Sequence, residues 1–351
     1  SPHATQPASF PVVEIRHDGH GEPRRSLKRT GGPGRGHAAL RCRAGGPGFG
    51  DLPTRDHFPD NFLGHHPAMP GLILLALLLL PASAWAHGGA HPLEAGPPGW
   101  TFDPWVTIPL ALALLAYALG FFRLRARRGL WRRSLIFTAG WAVLALAPVS
   151  PLHEAGERSF TQHMIEHELI MPVAALLLPM AQPLGVMLWA LPRAGRRMLA
   201  PSGGWLSRLR NPVLATTLQT IALWAWHAPP LFNRALGHPG WHVAQHLSFL
   251  VTALLFWWAI LRTPNRGLAA LCLFVTSIVG GALGALMALS SSPWYAGYAA
   301  MGMMPFGLTP TEDQALAGLI MWVPGGLVHA GAAVALLGAY LGSDSRNPSQ
   351  R

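Results

Sequence analysis

"HMIEHELIM", residues 163–171, sets two histidines four apart and places carboxylates at Glu166 and Glu168, in a chain that otherwise reads like lipid-soluble wall. Side chains at i and i+4 lie one turn apart on one face of a helix, so His163 and His167 can reach a single ion. The stretch therefore reads as a helix with titratable chemistry at its start and an apolar body behind it. Whether that body crosses a membrane follows from the rest of the chain.

Half of the 351 residues are hydrophobic, only 12% are charged, there are 14 tryptophans, and Lys28 is the single lysine. This is a membrane composition. The formal charge of +11 comes from arginines in short blocks between apolar runs, with no basic stretch interleaved by aromatics, so nucleic acid is not an expected partner. Cys42 and Cys272 form no CxxC pair and suggest neither a disulfide framework nor a thiolate metal site.

Residues 1–68 are rich in Gly, Pro, His and Arg without period and could not bury a core, so they are expected to be disordered or a spurious extension. From Met69 the run "MPGLILLALLLLPASAWAHGGAH" offers a short apolar segment, Pro81, and Ala84-Trp85-Ala86 as a cleavage site. Residues 69–86 therefore read as a signal peptide, with an uncleaved anchor as the alternative. A histidine-containing segment, 87–103, would follow it, facing the outer compartment.

Apolar runs near the ~20 residues that a bilayer core requires then recur at 104–122, 134–150, 160–180, 212–229, 241–261, 268–289 and 315–341. The expected fold is all-α: a polytopic membrane protein of seven transmembrane helices over 104–341, with a cytoplasmic tail at 342–351. A shorter run, "PLGVMLWALP" (183–192), either extends the third helix or lies at the interface. Six arginines occupy 123–133, five 193–210, two 262–266 and two follow 341, against Arg158 and Arg234 on the other face. The positive-inside rule then puts the amino terminus outside and the carboxyl terminus inside.

That division also sorts the histidines. Helix three opens with His163 and His167, helix five opens with His242 and His246, and helix four closes with His227, so five imidazoles are expected at one depth near the outer face. Neutral imidazole suits copper, zinc and iron, and intramembrane polar groups are costly unless they face a bundle interior. The bland alternative is a set of amphipathic residues in the headgroup region. His163-x-x-Glu166-His167 fits the H-x-x-E-H pattern of a zinc hydrolase, whereas Glu166 and Glu168 could instead orient imidazoles or simply favour a helix start. Met301, Met303 and Met304 in an outer loop are candidate soft ligands for Cu(I), with ordinary packing as the alternative. His329 stands apart near mid-bilayer, beside Gly325, Gly326 and Gly331, as a deeper ligand or a histidine bonded across helices. Pro172, Pro179 and Pro324 are expected to kink helices three and seven.

The ordered strings "SPLHEAGERSFTQHMIEHELIM", "WAWHAPPLFNRAL", "WHVAQHLSFLVTALLFWW", "SPWYAGYA" and "GLTPTEDQALAGLIMWVPGGLVHAGAA" resemble the CtaG family of bacterial cytochrome c oxidase assembly factors, over about residues 100–341. The resemblance implies a seven-helix inner-membrane protein that is not an enzyme. It further implies copper as the bound metal, with oxidase subunits, periplasmic copper chaperones and the lipid bilayer as partners. The implied ligand positions are His153, His163, His167, His227, His242, His246 and His329. The family commonly has an apolar residue where this chain has Glu168. Three rival readings have distinct signatures. A di-iron oxygenase or zinc hydrolase would use the HxxxH pairs with Glu166 as base, a haem protein would use paired axial histidines, and a permease would carry polar residues through the bilayer.

Overall fold

The computed structural model describes residues 96–127, 129–198 and 210–344, whose regular elements are all helices, with no strand among the described residues. The expected extension, the signal peptide, His87, His91 and the end of the tail lie outside the described residues. Each of the seven apolar runs coincides with a helix. The long elements are α1 (Pro104–Leu124), α2 (Leu130–Val149), α8 (Pro212–His227), α10 (Pro239–Arg262), α11 (Arg266–Ala288) and α13 (Pro310–Asp344), with the third run built as a composite. Short helices α3 (Pro151–Gly156), α7 (Arg193–Met198), α9 (Pro229–Gly237) and α12 (Ala296–Ala299) lie between them.

Helix starts follow local chemistry. Asp103, Ser150, Ser159, Asn211 and Asn265 cap α1, α3, the third run, α8 and α11 with a side-chain oxygen on an early backbone N–H. Helix α13 begins five residues earlier than its apolar run. Thr309 and Glu312 form a reciprocal box there, in which the Thr309 N–H donates to Glu312 Oε2 at 2.8 Å and the Glu312 N–H to Thr309 Oγ1 at 3.3 Å.

The third run is α4 (Phe160–Glu168), a π-helical turn at Leu169–Ala174 and α5 (Ala175–Ala181). Pro172 has no N–H to donate and its ring crowds the preceding turn, so the ladder loosens there. The Trp257 indole of α10 donates to the Met171 carbonyl within that turn at 3.2 Å. Pro179 and Pro324, by contrast, sit within α-helical segments.

The run at 183–192 does not extend the third helix. Gln182 takes a left-handed backbone, φ 52°, after which α6 (Pro183–Met187) and a 3-10 turn, Leu188–Ala190, follow. Arg123 donates to the carbonyls of Trp189 and Ala190 at 2.6 and 2.9 Å, Arg133 donates to Gln182 at 3.1 Å, and the Arg196 guanidinium lies 4.1 Å from the Trp189 ring centroid. The arginine-bearing ends of α1 and α2 thus meet this segment at one end of the bundle.

Among the described residues, five segments are long and apolar enough to cross a membrane: Pro104–Leu124, Phe160–Ala181, Pro239–Arg262, Arg266–Ala288 and Pro310–Gly338. The other two runs differ for plain reasons. Helix α2 carries Arg132 and Arg133 near its start, and α8 has 16 residues. Ile108, Leu112, Leu115, Leu119 and Phe122 form an exposed face on α1, and Val323, Leu327, Val334 and Leu337 do so on α13. Apolar faces of this extent are at home against lipid. Helices α11 and α13 approach closely because both are glycine at the crossing. A Cβ on Gly284 would meet the Gly318 carbonyl oxygen at 2.6 Å.

Candidate metal centre

Asp313, buried on the first turn of α13, holds the start of α4. Its carboxylate accepts from Ser159 Oγ at 2.8 Å, the Phe160 N–H at 2.7 Å and the Thr161 N–H at 3.3 Å, while its carbonyl accepts from Thr161 Oγ1 at 2.9 Å. An acid at the positive end of a helix, bonded to its open N–H groups, is favourable on both counts. Gly156 lets α3 lie against α4, since a Cβ there would stand 3.2 Å from the His163 Cα. That contact brings His153 to the HxxxH face. Pro239 starts α10 with His238 as its cap, the ring Nδ1 accepting from the Gly240 N–H at 3.2 Å. His238 thereby has a structural task.

The six histidines His153, His163, His167, His227, His242 and His246 come together. Ring centroids are 4.4 Å apart for His163 and His167, 4.5 Å for His242 and His246, 4.9 Å for His167 and His246, and 5.5 Å for His163 and His242. His153 stacks on His242 at 5.4 Å, and His227 joins through His167 at 6.3 Å. His163, His242 and His246 can each offer a ligand atom within 4.8 Å of the others, the spacing of a metal site. His163, His167 and His227 are buried.

Hydrogen bonds fix several rings. The His227 Nδ1–H donates to the Leu223 carbonyl at 2.7 Å, which leaves the lone pair on Nε2. Glu166, 1% exposed, lies 3.0 and 3.1 Å from His153 Nδ1 and 3.5 Å from His246 Nδ1. Burial pushes the His153 imidazolium down, but the hydrogen bond and charge of Glu166 outweigh it, so its pKa is raised. Among the described residues, His163 Nε2, both nitrogens of His167, His227 Nε2 and His246 Nε2 are buried with no hydrogen-bond partner. Orphaned polar atoms cost about 1–3 kcal/mol each, and the lone pair that each of these four neutral imidazoles carries is what bound metal would relieve. Neutral nitrogen donors suit copper, zinc or iron.

An aromatic and methionine cluster roofs the site. Phe232 stacks on Tyr295 at 4.0 Å, and the Tyr295 hydroxyl donates to the His227 carbonyl at 3.0 Å. The Tyr298 hydroxyl donates to the Gly156 carbonyl at 2.6 Å. Burial, with Asp313 and Glu157 nearby, pushes that hydroxyl well up, so it remains a donor.

Other expected site residues lie elsewhere. His329 bonds within its own helix rather than across helices, its Nδ1–H donating to the Gly325 carbonyl at 2.7 Å, and it stacks on Trp257 at 5.2 Å. Among the described residues its ring contacts are Trp257 and Phe256, with no other histidine. Met304 is packed in the aromatic roof, Met301 packs against it, and Met303 is exposed. Glu168 turns to α13, where a Cβ on Gly325 would meet its Oε2 at 2.8 Å. Sequence reasoning missed Asp313 and Gln245. Gln245 is fully buried beside His246, and among the described residues neither polar atom of its carboxamide has a partner. The available signal was a polar residue three after His242 in an apolar helix.

The sequence model for the family described as cytochrome c oxidase caa3 assembly factor (Caa3_CtaG) matches residues 115–342, nearly all of this bundle. Two uncharacterized mycobacterial proteins, Mb0105 of Mycobacterium bovis and MT0111 of Mycobacterium tuberculosis, are each 28% identical over 242 residues, 64% of this chain. The match spans 36% of the length of these relatives. No solved structure matches the chain.

Proposed function

The chain belongs to the cytochrome c oxidase caa3 assembly factor family, and on that premise we propose that it binds copper through its histidine cluster and passes the ion to the oxidase during assembly. Copper is cargo in this reading, and no substrate is turned over. The observation that carries it is the set of orphaned imidazole nitrogens inside a membrane bundle, where unpaired polar atoms have no reason to gather unless a ligand relieves them. In this role Glu166 orients His153 by accepting from its Nδ1–H at 3.0 Å and attracts the His246 Nδ1 edge from 3.5 Å, which leaves each Nε2 for the metal. A carboxylate so engaged is a poor general base, which counts against the hydrolase alternative.

The protein on this account crosses the bacterial inner membrane seven times, with the histidine end facing the periplasm and the arginine end the cytoplasm. Helix α2 has 20 residues, and α8, about 24 Å long, packs on both α10 and α11. The gathering of Arg123, Arg133 and Arg196 around one segment, away from the histidine-bearing helix ends, supports that polarity. Periplasmic copper chaperones would supply the ion and oxidase subunits receive it.

The test is elemental analysis of the detergent-purified protein grown with copper, beside a His163→Ala, His167→Ala double variant. Near-stoichiometric copper that the variant loses is the expected result. Iron or zinc in its place, or equal copper in both proteins, contradicts the reading.

A further inference from the structure

We propose that the cluster holds two copper ions at distinct positions, one in the group His163, His242 and His246, the other between His167 and His227; this rests on the copper-binding reading above. The first group can bring three ligand atoms within 4.8 Å of one another, and neither His167 nor His227 belongs to it. His227 reaches the cluster from the opposite chain direction, at the end of α8. Among the described residues, its single imidazole ring contact is with His167.

The geometry of that pair suits a two-coordinate ion. A metal held in line between two imidazoles, about 2 Å from each nitrogen, sets the ring centroids roughly 6 Å apart. The observed separation is 6.3 Å. His227 is already in the tautomer such a ligand needs, with Nδ1–H bonded to Leu223 and Nε2 buried and unpartnered. His167 has both nitrogens buried and unpartnered. Phe249 stands against both rings, at 4.9 Å from His167 and 5.9 Å from His227, and forms an apolar wall beside the pair. A low coordination number in an apolar wall favours Cu(I), a soft ion, over zinc.

Counting donors leads to the same place. One tetrahedral ion takes four nitrogens. Each neutral imidazole offers one lone pair, so His163, His167, His227 and His246, with the ligand atom of His242, bring five donors. A single ion would leave buried donors unrelieved, whereas two ions use them. His167 then lies between the positions, 4.4 Å from His163 and 4.9 Å from His246 by ring centroid, where its tautomer decides which nitrogen carries the lone pair and hence which ion it serves.

The experiment is anaerobic loading of the full purified chain with excess Cu(I), removal of loose metal on a desalting column, and measurement of copper per protein. The expected ratio is about two for the unaltered chain, about one for His227→Ala, about one for a His242→Ala, His246→Ala variant, and near zero when all three changes are combined. If His227→Ala aggregates, His227→Gln is read the same way, because its amide can still donate to Leu223. A ratio of one in both the unaltered chain and the His227 variant overturns the two-ion inference and leaves copper binding standing. A ratio of zero in every protein overturns both.

Discussion

The Glu166 carboxylate sits between two helices, 3.0 Å from His153 Nδ1 on α3 and 3.5 Å from His246 Nδ1 on α10. A carboxylate can accept from both N–H groups, whereas an amide of the same shape must turn its NH2 toward one of them. Glu166→Gln is therefore expected to weaken copper binding about 10–100-fold while the amount of folded protein is unchanged. Competition titration against a coloured Cu(I) chelator measures this, and an unaltered affinity would show that the carboxylate orients nothing. At this scale the sequence was partly legible. The i, i+4 spacing exposed His163, His167, His242 and His246 directly. His153 came through family resemblance alone, because its place depends on Gly156 allowing α3 to lie on α4, and no periodicity encodes that contact.

The placement of α4 depends on α13. Asp313 ties three donors of the α4 start from 152 to 154 residues away, so the HxxxH face is aimed by a side chain in a different helix. Asp313→Ala should cost about 2 kcal/mol of stability, the scale of a lost charge-assisted hydrogen-bond set, and should also lower copper affinity without touching a ligand. Equilibrium unfolding in mixed micelles and the chelator titration check the two effects. A stability loss with copper affinity unchanged would mean that the cap is structural only. Apolar length predicted where helices would occur, since a run of that kind has few other ways to satisfy its backbone. It did not predict their interruptions. The π turn at Leu169–Ala174 holds Pro172 and receives the Trp257 indole from α10, and Gln182, just before Pro183, receives Arg133 from α2. Proline marks both places in the sequence, while the form each interruption takes also involves partners from other helices.

Across the whole molecule, two ends of different chemistry stand out: arginines around Trp189 and Gln182, and imidazoles beneath the aromatic roof. Seven crossings with the histidine end outward predict that a membrane-impermeant maleimide added to intact spheroplasts labels a cysteine placed at Arg158 and not one placed at Arg125. Labelling of both positions, or the reverse pattern, would contradict the topology. If the histidine cluster serves oxidase assembly, a strain lacking this chain should regain function only with the imidazoles in place. Copper-dependent oxidase activity should return with the unaltered chain and stay at the deletion level with the His163→Ala, His167→Ala variant, when membranes hold equal amounts of each. Full activity with that variant would contradict the claim.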